Sequence, residues 1–89
     1  MSDLHHRILG VHVTNRLRKA TDLQRVFTEF GCNIKTRLGL HEVGPGHCSP
    51  SRVILLELFG DDATCDTMRD QLKQVEGVEV QEMVFRHPG

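Results

Sequence analysis

The sequence predicts an α+β fold in which four strands form one antiparallel sheet and two helices cover one face of that sheet. Two observations support this prediction. Apolar residues alternate in four segments and recur every three or four residues in two others, in the order strand, helix, strand, strand, helix, strand. The 89 residues are enough for one domain of this size but not for two. We therefore expect a single domain over residues 1–89, with its core between residues 7 and 85.

The first strand is predicted over residues 6–13, where apolar residues alternate with a period of two. The first helix follows from an apolar stripe at three- and four-residue steps between Leu17 and Phe30. Asn15 is the expected N-cap of this helix, and Gly31 is the expected residue at its C-terminal end. The backbone conformations that these two residue types prefer suit those positions.

The second strand is predicted over residues 33–43, and alternation assigns one of its faces to the core. Residues 44–50 are expected to form a loop, because two Gly and two Pro in this segment would interrupt a strand. The third strand is predicted over residues 52–59 and is apolar on both faces apart from Glu57, as is typical of a central strand. The residues expected on the buried face of the second strand are Ile34, Thr36, Leu38 and Leu40.

The second helix is predicted over residues 63–75, with Asp61 or Asp62 as its N-cap and Gly77 as the residue that ends it. The fourth strand is predicted over residues 78–85. Right-handed crossovers place both helices on one face of a sheet with the strand order 4-1-3-2. This is the ferredoxin-like, or split βαβ, arrangement.

The face of the sheet that is not covered by helices is expected to be apolar. Alternation places Ile8, Val53, Leu55 and Phe59 on this face. An exposed apolar patch is uncommon on soluble monomers and marks an interaction surface. A chain this short also has a small core, so an oligomeric interface would add stability. We therefore expect a homo-oligomer, either a dimer or a tetramer.

Charge and cysteine content exclude several classes of protein. The formal net charge of −1 does not favour direct binding of nucleic acid or of an anionic membrane. The sequence shows neither a leader-like segment nor a membrane-spanning stretch, so we expect a cytoplasmic protein. Cys32, Cys48 and Cys65 are odd in number and form no Cys-x-x-Cys pair, so we expect reduced thiols. Cys65 and Met68 fall on the apolar stripe of the second helix and are expected in the core.

The sequence contains no motif that predicts catalysis. No nucleophile and base pair can be named, and neither a Gly-rich phosphate loop nor a His-Glu-x-x-His helix occurs. The loop after the first strand lacks the cysteines of a copper chaperone and the glycines of an acylphosphatase. The central strands lack the stacking aromatic residues of an RNA-recognition motif. We therefore expect a protein that is not an enzyme and that needs no cofactor.

Six histidines in 89 residues raise the question of a metal site. His41, His47 and Cys48 could converge where the loop leaves the second strand, and imidazole and thiolate ligands suit nickel, zinc or copper. We expect the first and third strands to be parallel neighbours, which would place His12 and Glu57 towards one end of the sheet and His41 towards the other. These groups could equally be surface residues without a common geometry, so no metal ligand is assigned.

Thr14, Asn15 and Arg16 are the candidate ligand-binding residues. They precede the predicted N-terminus of the first helix, where free N–H groups and the helix dipole attract carboxylates and phosphates. Arg16, Arg18 and Lys19 would add positive charge, which suits a small acidic ligand. The alternative is that these residues only cap the helix and are otherwise solvated.

Several segments of the chain resemble the ACT-like regulators, and most closely the small stand-alone family of iron-only hydrogenase system regulators. The segments are Ile-Leu-Gly-Val-His-Val at 8–13 leading into Asn-Arg at 15–16, Val-Phe-Thr-Glu-Phe at 26–30, Ile-Lys-Thr-Arg-Leu-Gly at 34–39, Val-Ile-Leu-Leu at 53–56, and residues 72–80. The resemblance implies a ferredoxin-like fold, association into dimers or larger assemblies, and a regulatory role in which a small ligand or a partner protein is sensed. The amino-acid site of ACT domains maps onto Thr14, Asn15 and Arg16.

The nickel-responsive repressors share this fold in their metal domain and use His and Cys ligands around the second and third strands. This chain has His41, His47 and Cys48 in that region. The alternative function is therefore a nickel- or zinc-binding protein related to that metal domain. Because the chain lacks the DNA-binding ribbon of such repressors, it would not be a complete repressor.

Overall fold

The structure is a computed structural model that describes residues 5–14, 17–18, 20–44 and 47–86. These ranges contain four strands and two helices in the predicted order. They are β1 (His5–Val13), α1 (Ala20–Glu29), β2 (Ile34–Gly44), β3 (His47–Leu58), α2 (Asp62–Lys73) and β4 (Val78–Arg86), with a 3₁₀ turn at Gly31–Asn33. Within the described ranges, no helix is long and apolar enough to cross a membrane.

The four strands form one antiparallel sheet in the order β2-β3-β1-β4. This confirms the predicted strand order and the α+β, ferredoxin-like fold. One detail of the prediction is wrong, because β1 and β3 are antiparallel rather than parallel. The crossover through α1 makes β2 run in the same direction as β1, and the β2–β3 hairpin then reverses the chain.

The direction of β3 changes which side chains share an end of the sheet. His12 lies opposite Val53, whereas Glu57 lies opposite Ile8, so His12 and Glu57 are towards opposite ends. The backbone of His41 pairs with the residue next to Val53 and is therefore at the same end as His12. The predicted grouping of His12 with Glu57 is wrong for this reason.

The hydrophobic core lies between the sheet and the two helices. β1 and β3 contribute every second residue, because successive side chains of a strand point to opposite faces. The helices contribute residues at three- and four-residue spacing, with Cys65 and Met68 among them as predicted. The buried core residues are Leu9, Val11, Val13, Leu23, Val26, Phe27, Phe30, Ile54, Leu56, Leu58, Cys65, Met68, Leu72 and Val75.

A β-bulge inverts the predicted faces of β2. The first residue of β2 packs against the core as predicted, but the register shifts between residues 34 and 36. Beyond the shift, Leu38 and Leu40 lie on the face away from the helices and are exposed. Arg37 lies on the helix side, with its guanidinium 4.5 Å from the ring centre of Phe27. The predicted burial of Thr36, Leu38 and Leu40 is therefore wrong, because one extra residue moves every following side chain to the other face.

Most of the predicted loop at residues 44–50 belongs to a strand. β3 begins at His47 and pairs with β2, so that Cys48 lies opposite Val43. A second register shift follows on β3 between Cys48 and the residue that pairs with His41. Pro50 lies within this irregular stretch, where a residue without a backbone N–H is tolerated. Local composition alone did not predict this outcome.

The helix α1 begins later than predicted. Its first residue is Ala20, and before it the backbone N–H of Leu17 donates to the carbonyl of Thr14 at 3.2 Å in a turn. Leu17 packs against the core from this turn rather than from the helix. The predicted N-cap, Asn15, lies outside the described residues, and α1 begins at Ala20 rather than directly after it.

Three residues expected at helix ends have different outcomes. Asp61 is the N-cap of α2, and its carboxylate accepts hydrogen bonds from the N–H of Thr64 at 3.2 Å and from its hydroxyl at 2.8 Å. These bonds hold the pKa of Asp61 below its usual value. Gly77 adopts a φ of 86° in the turn before β4. Gly31 does not adopt a positive φ, because the chain continues from α1 into the 3₁₀ turn.

Candidate functional site

Of the three candidate ligand-binding residues, Thr14 is in the described part of the chain, whereas Asn15 and Arg16 lie outside it. The backbone N–H and the hydroxyl of Thr14 both donate to the carbonyl oxygen of Gly77, at 3.0 and 2.7 Å. These bonds tie the end of β1 to the turn before β4. Because α1 begins at Ala20, the three residues do not directly precede a helix N-terminus as predicted.

A surface depression of about 540 Å³ lies beside Thr14. Arg18 contributes one of the positive charges that the sequence predicts here, but Glu76 and Glu79 add two carboxylates from the far end of the chain. Gly77 forms part of the wall, and its positive φ is a conformation that glycine adopts without strain. Sequence reasoning missed the two glutamates because only the tertiary contact between Thr14 and Gly77 brings them to this site.

The face of the sheet without helices, here called the open face, carries apolar side chains from all four strands, and those of β2 and β4 are exposed. Ile8, Val53 and Leu55, which the sequence assigns to this face, are half-buried. Phe59 follows the end of β3 and is exposed. The open face consists of Thr36, Leu38 and Leu40 on β2, Val53, Leu55 and Glu57 on β3, His6, Ile8, Gly10 and His12 on β1, and Glu79, Gln81, Met83 and Phe85 on β4.

The polar side chains of the open face are paired with one another. His12 Nδ1 lies 3.4 Å from Glu79 Oε1. Thr36 donates its hydroxyl to Glu57 Oε1 at 2.9 Å, and His6 Nε2 lies 3.9 Å from Glu57 Oε2. These groups occupy two opposite corners of the open face and leave the apolar residues between them.

A second depression, of about 250 Å³, interrupts the open face at Gly10. It arises because Gly10 presents no side chain between Leu55 on one neighbouring strand and Gln81 on the other. Glu79 lines this depression and also the one beside Thr14, so the two depressions share a wall. The residues around Gly10 are His12, Val53, Glu79 and Gln81.

On the other face of the sheet, Arg7 forms a charged cluster that sequence reasoning missed. Arg7 is only 5% exposed although it carries a charge. Its guanidinium donates to Glu82 of β4 and to Asp66 of α2, and its Nη1 lies 3.5 Å from Asp62 Oδ1. Arg69 Nη1 lies 3.3 Å from the other oxygen of Glu82. The carboxylates compensate the buried charge and tie α2 to β1 and β4.

The electrostatics of this cluster follow from burial and hydrogen bonding. Burial disfavours the charged form of Arg7, but the hydrogen bonds to Asp66 and Glu82 outweigh burial and raise the pKa of the guanidinium. The same contact holds the pKa of Asp66 below its usual value. A signal was present in the sequence, because alternation places Arg7 on the buried face of β1 together with Leu9. A charge at a buried position requires a partner.

The candidate metal ligands His41, His47 and Cys48 lie in the β2–β3 hairpin, and their side chains are outside the described part of the structure. Among the side chains that are described, no group of three or more His, Cys, Asp or Glu could hold a metal ion. The described thiols, Cys32 on the surface and Cys65 in the core, form no disulfide. Burial raises the pKa of Cys65.

No family model and no curated protein matches the chain. Solved structures are similar in fold. An uncharacterized protein from Thermotoga maritima is 23% identical, with a TM-score of 0.74 over 91% of this chain and 98% of that chain. The C-terminal domain of a cyclometallase involved in the synthesis of the NPN cofactor of lactate racemase is 8% identical, with a TM-score of 0.59 over 98% of this chain and 58% of that chain.

A formyltetrahydrofolate deformylase from Pseudomonas putida is also similar. It is 15% identical, with a TM-score of 0.53 over 93% of this chain and 29% of that chain. The domain therefore spans nearly the whole Thermotoga protein but only part of the other two chains. At these identities the likeness concerns the fold alone, and the chain has the fold of a small ferredoxin-like domain.

Proposed function

We propose that this chain is a non-catalytic, ACT-like regulatory module, similar to the iron-only hydrogenase system regulators, that associates with a second copy of itself through the open face. One observation carries the proposal. Leu38, Leu40, Met83 and Phe85 lie on the same side of the sheet and are between 45% and 53% exposed. Contiguous apolar surface of this kind is typical of an interaction site.

The exposed area of the chain supports a partner of similar size. A monomer of 10.1 kDa is expected to expose about 5,300 Å², whereas this chain exposes 6230 Å². The chain therefore exposes about 900 Å² more than an average monomer of its mass, and a standard interface would cover roughly 800 Å² on each partner. The extents of 50 × 26 × 17 Å contribute to this excess, because a flat and elongated shape leaves more surface in water.

The polar groups of the open face favour a second copy as the partner. In a two-fold dimer each copy presents the same surface, so the surface must be compatible with itself. Glu57 and Glu79 would repel their counterparts if they were unpaired, but His6, His12 and Thr36 contact them within each copy. These contacts hold the two carboxylates at the corners of the open face, so its apolar centre can meet the same surface of another copy.

The depression beside Thr14 supports a ligand-sensing role. Arg18 offers a cation to a carboxylate, and Glu76 and Glu79 offer anions to an ammonium group. The sequence alone suggests a small acidic ligand, whereas the described lining favours a small ligand that carries both charges. Glu79 connects this depression to the open face, because it lines the depression and also contacts His12. A ligand that attracts Glu79 would thereby change the surface on which the copies associate.

Sedimentation velocity tests the self-association. The wild-type chain is expected to be a dimer or tetramer at micromolar concentration, and Leu38→Asp is expected to make it monomeric because a charge would be buried in the interface. Val84→Asp is the matched control, since Val84 is an exposed apolar residue on the other face of the sheet. A wild-type chain that remains monomeric at tens of micromolar would contradict the proposal.

Thermal shift measurements test ligand sensing. A panel of α-amino acids is compared with a panel of dicarboxylates, on the wild-type chain and on Arg18→Gln. At least one amino acid is expected to raise the midpoint of the wild-type chain and to have less effect on Arg18→Gln. Arg25→Gln, on the exposed side of α1, is the control. If no compound in either panel shifts the wild-type midpoint, this part of the proposal fails.

Nickel or zinc binding is a second candidate function. The observation that favours it is the β2–β3 hairpin, which places His41 on one strand and His47 and Cys48 on the strand paired with it. Imidazole and thiolate are suitable ligands for either metal. Calorimetric titration with Ni²⁺ and Zn²⁺ should show binding that is weakened by His47→Ala and unchanged by His6→Ala. If the reduced wild-type chain binds neither Ni²⁺ nor Zn²⁺, this candidate function is wrong.

A further inference from the structure

β4 forms one edge of the sheet and lacks the features that usually protect an edge strand. It pairs with β1 along its whole length without a register shift, and no other described strand pairs with its outer edge. β2, at the other edge, has two register shifts and carries Lys35. Bulges, lysines and prolines keep edge strands from pairing with other chains, and β4 contains none of them. The outer edge of β4 can therefore accept another strand.

The exposed apolar residues of β4 lie on both faces of the sheet. Met83 and Phe85 are on the open face, whereas Val84 lies opposite Arg7 and is therefore on the helix side. Val84 is nevertheless 39% exposed, so the helices cover it only in part. Association through the open face leaves Val84 in water. A contact along the edge of β4 would instead reach residues on both faces.

Arg86 supplies a positive charge at the end of β4. It is exposed and forms no ion pair within the described part of the chain. It lines a depression of about 170 Å³ together with Val84 and the charged cluster around Arg7. In that cluster, the carboxylates that contact Arg7 and Arg69 outnumber the two guanidiniums. A further cation beside the cluster is therefore favourable.

The sequence of β4 favours one register for pairing with a second copy. Around a two-fold axis perpendicular to the sheet, each residue lies opposite a residue of the same face. If the axis passes through Val84, this residue lies opposite its own counterpart. Met83 then lies opposite Phe85 of the other copy. Glu82 lies opposite Arg86, so that opposite charges meet.

The neighbouring registers are less favourable. An axis at Glu82 would place two carboxylates opposite each other. An axis at Met83 or Phe85 would place Val84 opposite a charged residue. An axis nearer the start of β4 would leave Phe85 outside the paired segment. The register centred on Val84 therefore matches apolar with apolar residues on both faces and also matches opposite charges.

We propose that the β4 strands of two copies pair antiparallel about a two-fold axis at Val84, which joins two sheets into one of eight strands. Arg86 of each copy lies beside Glu82 of the other. The paired segment, residues 82–86, is shorter than β4 and covers less area than a standard interface. We therefore expect this contact to be weaker than association through the open face and to join open-face dimers into larger assemblies above about 100 μM.

Cross-linking through a single cysteine tests this contact. Directly opposite Cα atoms are about 4.5–5.5 Å apart, within the range that a disulfide spans. In a background with Cys32→Ser and Cys48→Ser, oxidised glutathione is expected to convert Val84→Cys into a disulfide-linked dimer. Lys35→Cys, at an exposed position of the other edge strand, is the control for random collisions. At several hundred micromolar chain, Val84→Cys is expected to cross-link at least about ten-fold faster, because pairing raises the effective concentration of the thiols.

Charge reversal tests the register. Arg86→Glu places a carboxylate opposite Glu82 and is expected to slow the cross-linking of Val84→Cys several-fold. Lys35→Glu makes the same charge change on the other edge strand and is expected to leave the rate unchanged. Leu38→Asp is also expected to leave the rate unchanged, because it acts on the open face. Circular dichroism spectra of all variants are expected to match the wild type.

The outcomes separate this contact from the proposed open-face association. If Val84→Cys cross-links no faster than Lys35→Cys, the edge contact is wrong, whether or not the chain forms a dimer through the open face. If Arg86→Glu and Lys35→Glu change the rate equally, the register centred on Val84 is overturned. A wild-type chain that is monomeric at tens of micromolar, together with fast cross-linking of Val84→Cys, would support the edge contact and contradict only the open-face association.

Discussion

Replacement of Arg7 by methionine tests whether the charged cluster holds α2 on the sheet. The variant keeps most of the side-chain volume, so the loss comes from the contacts of the guanidinium. Hydrogen bonds to charged groups contribute about 1.5–3 kcal/mol each, and removal of one member of a buried ion pair costs about 3–5 kcal/mol. Glu82 retains Arg69 at 3.3 Å, and Asp66 is partly exposed and can be rehydrated. We therefore expect the free energy of unfolding to fall by about 2–3 kcal/mol.

Urea unfolding followed by circular dichroism measures this effect at a fixed protein concentration, so that self-association contributes equally to each variant. In thermal unfolding, the same loss should lower the midpoint by about 10–20 °C for a domain of this size. Arg25→Met is the control, because Arg25 lies 3.6 Å from Glu29 in an exposed pair and should contribute less than about 1 kcal/mol. If Arg7→Met is as stable as Arg25→Met, the cluster does not stabilise the fold and the reasoning is refuted.

Three further predictions concern local contacts. The hydrogen bond from Arg7 lowers the pKa of Asp66 from 3.8. The stabilisation that the Asp66 carboxylate contributes is therefore complete above the ordinary pKa of the group and is lost as the pH falls through the lowered pKa. Urea titrations in this acidic range should show that the free energy of unfolding falls less for Arg7→Met than for the wild type. Equal losses would contradict the assignment of this pH dependence to the contact between Arg7 and Asp66. Thr14→Val removes the 2.7 Å hydrogen bond from the Thr14 hydroxyl to the turn before β4 and should lower the free energy of unfolding by about 1 kcal/mol. Thr14→Ser should retain this hydrogen bond. Equal stability of the two variants would contradict a stabilising role for the bond. Gly60→Ala should cost about 1–3 kcal/mol in unfolding experiments, because φ is 118° and the new Cβ would lie 2.6 Å from Asn33 Nδ2. Gly31→Ala, with no atom within 4 Å, is its neutral control, and similar values for both would contradict the strained backbone at Gly60.

The sequence predicted those features that depend on local periodicity. The inward positions of β1 and β3 and the stripe of α2 follow from the spacing of apolar residues, because burial repeats with the geometry of each element. Asp61 was one of two candidates for the N-cap of α2. It could be identified locally because its carboxylate accepts a hydrogen bond from a backbone N–H only three residues away. The order of the strands followed from the handedness of the two crossovers.

The candidate site was predicted only in part. Thr14 was selected from its place after the first strand, but its hydroxyl is bonded to Gly77, and Glu76 and Glu79 complete the depression from a distant segment. The Arg7 cluster was missed, although alternation places that residue on a buried face. Its partners lie on α2 and β4, and no local spacing connects them with Arg7.

The amino-acid sequence by itself determined the number, kind and order of the elements and most of the core, since these depend on intervals of two to four residues. Tertiary structure alone decided the faces of β2, the length of the β2–β3 hairpin and the carboxylates around Arg7. A single bulge near the start of β2 moved Leu38 and Leu40 from the predicted core to the open face. The physical reason is that the register of a strand is set by the neighbour with which it pairs, and that neighbour lies beyond the reach of any local pattern.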